Sequence, residues 1–313
     1  MSYFFNVLFF FSSGFLTLSY SLGGNDSNSA PIDTSTPTAF TPPDGKGISH
    51  VRLVGCNTAN HIYRTTFGRT NPAGLDWYAF DGALVNVSTA GEYIFGCNKQ
   101  QQCWWRSEKG NSTGRTPWEC NGGGAAWAAV SRDGQHAWTT GTKWGGHPWY
   151  KSGLKGTKAG HGWKKFTTPG GKMDVVRVRN DNGVLVTNDT GDAYFSPDCA
   201  KSWKKVNTPG PVKHIDFTDN GDCLVCVTND GTGYYNAGGQ GWVQLEDPAG
   251  SKWNTLMICG YHIVGCDQRT WIYYRNFHDQ TEWVKTNGAL VNCDITSDDG
   301  SFVPGAKQWD YSQ

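Results

Sequence analysis

The chain has 313 residues, including 41 glycines and 15 tryptophans, and carries 27 basic and 27 acidic side chains. Because its formal net charge is zero, there is no electrostatic reason to expect binding to nucleic acid or to an anionic membrane surface. No apolar segment keeps a helical period beyond a turn or two. The sequence therefore predicts an all-β protein, and its length suits one closed β architecture.

The first 22 residues, "MSYFFNVLFFFSSGFLTLSYSL", form an apolar segment with small residues near its end at Ser19 and Ser21. This arrangement is typical of a signal peptide, although no basic residue precedes Lys46. The alternative, a membrane anchor, needs about 20 apolar residues, and serines and a glycine interrupt this run. We expect residues 1–22 to be a signal peptide and the mature chain to be secreted, extracellular and without a membrane span.

Residues 23–46 are rich in Ser, Thr, Pro and Asn, which predicts a flexible arm. Sequons for N-glycosylation fit a secreted glycoprotein. The candidate positions are Asn25, Asn86, Asn111 and Asn188.

From residue 47 onward the sequence repeats about every 41 residues. A tryptophan opens a short apolar strand once in each repeat, at Trp77, Trp118, Trp163, Trp203, Trp242 and Trp283. Upstream of each tryptophan lie an apolar strand that ends in a glycine turn, a second apolar strand and an aromatic pair. Four strands repeated six times predict a six-bladed β-propeller of four-stranded antiparallel blades over residues 47–313.

The first repeat lacks its first strand, and the last repeat is followed by one strand too many. The strand at Leu290 to Thr296 is therefore predicted to pair with Val51 to Asn57 and to close the ring.

The tryptophans are predicted to fill the wedges between blades. The aromatic pair of each repeat is more informative, because successive strand residues face opposite ways and one ring must lie near the surface. Rings beside basic or amide donors are typical of sugar recognition, whereas the alternative is a solvated strand end with stacked cations. The candidate carbohydrate-binding residues are Asn57, Arg64, Asn98, Trp104, Arg106, Trp149, Lys151, Asp267, Tyr273 and Arg275.

Ten cysteines in an oxidising compartment indicate disulfides, and none has a metal-binding spacing. If Trp105 lies opposite Trp118, then Cys103 lies opposite Cys120. A hairpin at Gly260 would bring Cys259 near Cys266, and Cys56 with Cys293 is a third candidate pair. A cysteine left over would favour a disulfide-linked protein partner. No metal or cofactor is expected.

The order "ALVNVSTAGEYIFGCNKQQQCWWRSEKG" and "LMICGYHIVGCDQRTWIYYRN", each followed by a tryptophan, resembles the tectonin repeat, which tachylectin-type and fish egg lectins share. The resemblance covers about residues 47–300. It implies a secreted, multivalent lectin for innate defence or egg protection that binds lipopolysaccharide or other cell-surface glycans at equivalent sites between blades. Repeats three to five depart from the pattern, since Ser196 and Asn236 stand where other repeats have a basic residue.

Two other functions remain open. One is a lectin-type targeting subunit, bound or disulfide-linked to another chain such as a pore-forming toxin subunit. The other is a sialidase-like glycosidase, because "SPDCAKSW" (Ser196 to Trp203) is similar to the Asp-box of that six-bladed family. An Asp-box stabilises a hairpin and is not catalytic, and no recognisable sialidase catalytic set accompanies it. The chain is therefore expected not to be an enzyme.

Overall fold

The computed structural model describes residues 50–68, 75–108, 116–131, 134–141, 145–154, 162–178, 183–218, 221, 223–277 and 282–297. Every described residue belongs to one unit of the chain, Pro37–Gln313. The predicted leader, the arm, Asn25 and Asn111 lie outside these residues. Within the described part, no helix has the length and apolarity needed to cross a membrane.

The described chain contains 24 strands and one short 3-10 turn at Pro248–Gly250. The strands of blade 1 are β1 (His50–Cys56), β2 (His61–Gly68) and β3 (Tyr78–Ala83), and those of blade 2 are β4 (Asn86–Ala90), β5 (Tyr93–Cys97), β6 (Gln102–Ser107) and β7 (Glu119–Gly123). Blade 3 comprises β8 (Trp127–Val130), β9 (His136–Thr140), β10 (Trp149–Ser152) and β11 (Lys164–Lys165), and blade 4 comprises β12 (Met173–Val178), β13 (Val184–Asn188), β14 (Ala193–Ser196) and β15 (Lys204–Val206). Blade 5 comprises β16 (Val212–Phe217), β17 (Cys223–Thr228), β18 (Gly233–Ala237) and β19 (Val243–Gln244), and blade 6 comprises β20 (Trp253–Cys259), β21 (His262–Asp267), β22 (Trp271–Asn276) and β23 (Val284–Ala289). The last strand is β24 (Asn292–Ser297).

These strands form six four-stranded antiparallel sheets, which confirms the predicted six-bladed propeller. The sheet order β24-β1-β2-β3 also confirms that the C-terminal strand completes the first blade. Val51 pairs with Ser297 and Cys56 with Asn292 along this seam. A Cβ atom at Gly55 would lie 2.9 Å from the carbonyl oxygen of Asn292, so the close approach of the two strands there requires glycine.

Polar side chains join the innermost strands of neighbouring blades. The Asn292 Oδ1 atom accepts a hydrogen bond from the Val87 N–H at 3.0 Å, and Asn86 Oδ1 accepts one from the Ala128 N–H at 2.7 Å. The second bond repeats the first at the equivalent strand position, one blade later. These side chains bridge strands that belong to separate sheets and therefore share no backbone ladder.

Two of the predicted glycosylation sites are unsuitable in this fold. Asn86 is 2% exposed and Asn188 is 6% exposed. The Oδ1 atom of Asn86 is engaged as described, and that of Asn188 accepts the Asp192 N–H at 2.8 Å. The Nδ2 atom, which would carry a glycan, lies 3.4 Å from Asn292 Oδ1 in Asn86 and donates to the Gly170 carbonyl at 3.1 Å in Asn188. A glycan on either amide would disturb these contacts and would have no space.

The inner strands also bury a charged cluster around Arg177. Its Nη2 atom lies 2.8 Å from His214 Nε2, and its guanidinium lies 3.8 Å from an Asp216 oxygen and 3.9 Å from an Asp294 oxygen. Burial and the neighbouring guanidinium hold the pKa of His214 well below its ordinary value. The imidazole is thus neutral, and the two carboxylates balance the buried cation.

The repeated tryptophans pack between blades, as their spacing predicts. Four of them donate the indole N–H to a backbone carbonyl in the outer strand region of the preceding blade. The pairs are Trp77 with Asn287, Trp118 with Asp81, Trp163 with Asn121 and Trp242 with Asn207. These bonds fasten the outer edge of the ring, whereas the inner side-chain bridges fasten its centre.

The strand registers correct all three predicted disulfide pairs. Cys120 stands opposite Trp104 and not opposite Cys103, so the two cysteines project from different faces of blade 2. Trp105 accordingly pairs with Glu119, one residue away from the predicted Trp118.

The two remaining pairs fail for related reasons. Cys266 pairs with Thr255 while Cys259 pairs with His262, which separates the two cysteines by about 13 Å along the hairpin. Cys293 stands opposite Gly55, next to Cys56, so these side chains also face opposite ways. All ten cysteines are thiols in this structure.

Candidate functional site: the cleft between blades 1 and 2

The turn between the second and third strands is built alike in several blades. It begins with a residue whose side-chain oxygen accepts a backbone N–H four residues later. Asn57 accepts from His61 at 3.0 Å, Asn98 from Gln102 at 2.9 Å and Asp267 from Trp271 at 2.9 Å. The polar atoms that the sequence offered as sugar contacts at Asn57, Asn98 and Asp267 thus shape the turns themselves.

Each turn also holds the linker that leads into the next blade. Asn60, which has a φ of 65°, accepts the Leu84 N–H on its carbonyl oxygen at 3.0 Å. Thr270, with a φ of 71°, accepts the Leu290 N–H in the same way at 2.9 Å. This contact brings the turn and the linker together on one face of the ring, at the mouth of the groove between two blades.

Between blades 1 and 2 this groove opens into a cleft of about 430 Å³. Its lining combines two indole rings, the end of β3 with the adjoining linker, and the polar tip of the blade 2 turn. The lining residues are Asn60, Gly82, Ala83, Leu84, Asn98, Lys99, Gln100, Trp104 and Trp118.

Gly82 allows the outer wall of the cleft to form. Its φ is 95°, and a Cβ atom at this position would lie 2.9 Å from the indole nitrogen of Trp118. The glycine therefore permits both the backbone conformation and the close approach of the ring. The Trp118 indole N–H donates to the Asp81 carbonyl at 2.8 Å, which fixes the orientation of the ring.

The cleft combines aromatic surface with polar groups at its rim. Trp104 and Trp118 offer apolar surface, while Lys99 and Gln100 are exposed at the rim and provide an ammonium and an amide. No carboxylate, imidazole or thiol is among its lining residues. In the described part of the chain, no group of three His, Cys, Asp or Glu side chains is placed to hold a metal ion.

The basic residues of the third strands mostly lie elsewhere. Arg106 is 1% exposed, and its Nη1 atom lies 2.7 Å from Asp81 of blade 1. Its guanidinium lies 5.5 Å from the centre of the Phe80 ring and 4.9 Å from that of the Trp118 ring. Arg106 thus clamps blade 2 to blade 1 behind the wall of the cleft.

Lys151 repeats this arrangement one blade later. Its Nζ atom donates to Asn121 Oδ1 of blade 2 at 2.9 Å and lies 5.5 Å from the centre of the Trp163 ring. Burial lowers the pKa of the ammonium, although the nearby thiols of Cys103 and Cys120 oppose that effect. Both buried cations therefore join blades and are not displayed to solvent.

Arg64 does not occupy the strand position that Arg106 occupies in blade 2. It pairs with Val54, in the register position of Trp105, while Thr65 occupies the place of Arg106. Its side chain consequently faces blade 2, where it forms an ion pair with Glu108. The sequence contains the signal for this shift, since Arg64 follows its turn residue by seven positions and Arg106 follows Asn98 by eight.

The remaining candidates are dispersed. Tyr273 is 3% exposed and packs edge-on against Trp253 at 5.9 Å, while Arg275 lies over Phe277 at 5.3 Å. Trp149 is half-buried in β10, where it pairs with Lys165. Of the ten predicted binding residues, the structure brings Asn98 and Trp104 together in the cleft. Lys99 and Gln100 also line the cleft; they are not among the ten candidates, although the sequence offers the loop from Asn98 to Gln102 as an alternative location of the site. Trp118, which the sequence assigned to packing between blades, lines the cleft as well.

Comparisons with known proteins identify the fold and no family. No protein-family model matches the sequence, and no curated protein sequence matches it. A chain in the crystal structure of a nidogen/laminin complex is similar in structure, with a TM-score of 0.62, 10% identity and coverage of 79% of this chain and 99% of that one. The structure of U3-55K is similar with a TM-score of 0.51, 8% identity and coverage of 82% and 88%. At such low identity these similarities concern the propeller fold alone.

Proposed function

We propose that this protein is a secreted carbohydrate-binding propeller, a lectin of microbial or host cell-surface glycans, and that the cleft between blades 1 and 2 is its principal binding site. The observation that carries the proposal is the pair of indole rings, Trp104 and Trp118, in one groove with an amide and an ammonium at its rim. The apolar face of a pyranose packs on such a ring, while its hydroxyls bond to the polar rim.

The composition of the cleft favours binding without hydrolysis. Glycoside hydrolysis ordinarily uses two carboxyl groups on either side of the scissile bond, and the cleft lining supplies none. The Asp198 carboxylate of the Asp-box segment is engaged in its own turn, where it accepts the Ser202 hydroxyl at 2.7 Å and the Ser202 N–H at 2.9 Å. That segment therefore serves as a hairpin support.

A glycan array identifies the sugar, and titration calorimetry with a soluble fragment of the best glycan then tests the site. Lys99→Ala combined with Gln100→Ala removes two exposed rim donors without altering the core. We expect the affinity for the soluble fragment to fall about 10-fold or more, because hydrogen bonds to a bound ligand contribute about 1 kcal/mol each and more when one group is charged.

The control is Thr58→Ala, which changes the exposed residue at the Lys99 position of the blade 1 turn. It should bind as the unaltered protein does. A soluble fragment is required, because avidity on a coated surface would conceal the loss of one site. Absence of binding to every glycan class, or unchanged affinity in the double variant, would refute the proposal.

A further inference from the structure

Two buried cysteines meet where the ring closes. Cys266 lies in β21 of blade 6, Cys293 lies in β24, and their Sγ atoms are 3.3 Å apart. Both side chains are fully buried in one apolar cluster with Val264, Ile272 and Leu290. A disulfide bond of about 2.04 Å requires these sulfurs to approach each other by little more than 1 Å.

A cysteine at the position of Cys266 recurs in two other blades. Cys266 immediately precedes the turn residue Asp267, as Cys56 precedes Asn57 and Cys97 precedes Asn98. Three blades thus place a cysteine at the same point of the second strand, facing the innermost strand of the next blade.

A cysteine at the position of Cys293 occurs on β24, the strand that closes the ring. Cys293 follows Asn292 on the innermost strand of blade 1. The equivalent residue is Val87 on the innermost strand of blade 2 and Ala128 on that of blade 3. Cys56 accordingly packs in the same cluster as Val87, and Cys97 packs in the same cluster as Ala128. Of these three interfaces, the one between blade 6 and the C-terminal strand has a cysteine on both sides.

We propose that Cys266 and Cys293 form a disulfide that locks the C-terminal strand to blade 6. The strand β24 is already hydrogen-bonded to β1 of the first blade. The disulfide would fasten its other side, so that the two ends of the ring are held together by a covalent bond. Detachment of β24, which would open the propeller at its seam, would then require reduction.

The oxidant is a disulfide, either glutathione disulfide or the disulfide of a thiol oxidoreductase. One protein thiolate attacks a sulfur of that oxidant to give a mixed disulfide and release one thiol. The second protein thiolate then attacks the protein sulfur of the mixed disulfide, forming the Sγ–Sγ bond and releasing the second thiol. Two electrons and two protons pass to the oxidant. Burial raises the pKa of the Cys293 thiol, so oxidation should precede the final packing of β24.

Peptide mapping tests this bond directly. The full chain is denatured, reduced, refolded with glutathione and glutathione disulfide, blocked with an alkylating reagent and digested with trypsin without reduction. Cleavage after Lys252, Arg269, Lys285 and Lys307 gives peptides 253–269 and 286–307. We expect these to be recovered as one species, two hydrogens lighter than their sum, that separates on reduction.

Because peptide 253–269 also contains Cys259, a Cys259→Ser variant is the matched control, and it should retain the linked species. Cys293→Ser should abolish that species. In the unaltered protein and Cys259→Ser, reduction should lower the urea midpoint of unfolding, whereas Cys293→Ser should show a smaller change. Recovery of Cys266 and Cys293 as alkylated thiols in the refolded, unaltered protein would overturn the inference, as would linkage of either residue to another cysteine.

Discussion

The ion pair behind the cleft leads to an asymmetric prediction for stability. Arg106 is 1% exposed, whereas the side chain of its partner Asp81 is 65% exposed. Removing the aspartate leaves a buried cation whose remaining support is the faces of Phe80 and Trp118. Removing the arginine leaves a carboxylate that is already largely in water. The two substitutions should therefore differ in cost although they break the same contact.

The magnitudes follow from burial. Loss of one partner from a fully buried pair costs about 3 to 5 kcal/mol. Because Asp81 is mostly solvated and the two rings also stabilise the guanidinium, we expect about 2 kcal/mol for Asp81→Ala. Arg106→Met keeps much of the side-chain volume and buries apolar surface, so we expect a loss of about 1 kcal/mol or less. The double variant should resemble Arg106→Met, because the aspartate has no buried charge left to balance.

Urea unfolding followed by circular dichroism measures the three variants against the unaltered protein, and the double-mutant cycle isolates the coupling. The reasoning fails if Arg106→Met destabilises the protein more than Asp81→Ala does. It also fails if Asp81→Ala is neutral, since the buried guanidinium would then need no counter-ion. Either result would return Arg106 to consideration as a ligand-binding donor.

Two further predictions concern single hydrogen-bonded groups. Burial alone would raise the pKa of Asp198, but hydrogen bonds from Ser202 and its neighbours lower it to about 2. After allowance for solvent screening, Asp198→Asn should lower the free energy of unfolding by about 1 kcal/mol at pH 7. Because the folded pKa is depressed, this contribution is present above pH 4 and should disappear as the pH falls towards 2, which urea unfolding at several pH values will show. Trp163→Phe should cost about 1 kcal/mol through loss of its bond to the Asn121 carbonyl, whereas Trp203→Phe should cost less, because the described residues provide no partner for its indole N–H. Equal losses in both tryptophan variants would show that ring volume, and not the hydrogen bond, determines the effect.

The fold could be predicted from the sequence because it depends on periodicity. Six tryptophans at nearly equal spacing, each preceded by similar strands, specify the number of blades without knowledge of any single contact. The closure by β24 followed from the same alignment, since the first repeat lacked one strand. Errors of one residue do not alter such conclusions.

The site and the disulfides depend on which way each side chain faces, and a shift of one residue reverses that direction. Arg64 shows the effect, because it was aligned with Arg106 but occupies the register position of Trp105. Cys103 and Cys120 show it again, since Trp105 pairs with Glu119 and not with Trp118, which places Cys120 opposite Trp104. The spacing of Arg64 from its turn residue carried the signal for its shift, whereas a single sequence gives little indication of which residues of β6 and β7 lie opposite each other, so the facing of Cys120 could not be derived.

The sequence also predicted equivalent sites around the ring, but the residue that begins each blade makes the clefts unequal. Leu84 occupies this position at the cleft, where its N–H bonds to the Asn60 carbonyl. Between blades 5 and 6 the equivalent bond, to the Gly231 carbonyl, is made by Trp253. The Trp253 ring lies 4.6 Å from that of Trp283 and 5.9 Å from that of Tyr273, the counterparts of the two cleft tryptophans. A bulky indole therefore fills the space that a leucine leaves open. An open groove can form only where the residue at this position is smaller than tryptophan, so the number of sites depends on which residue each blade has there.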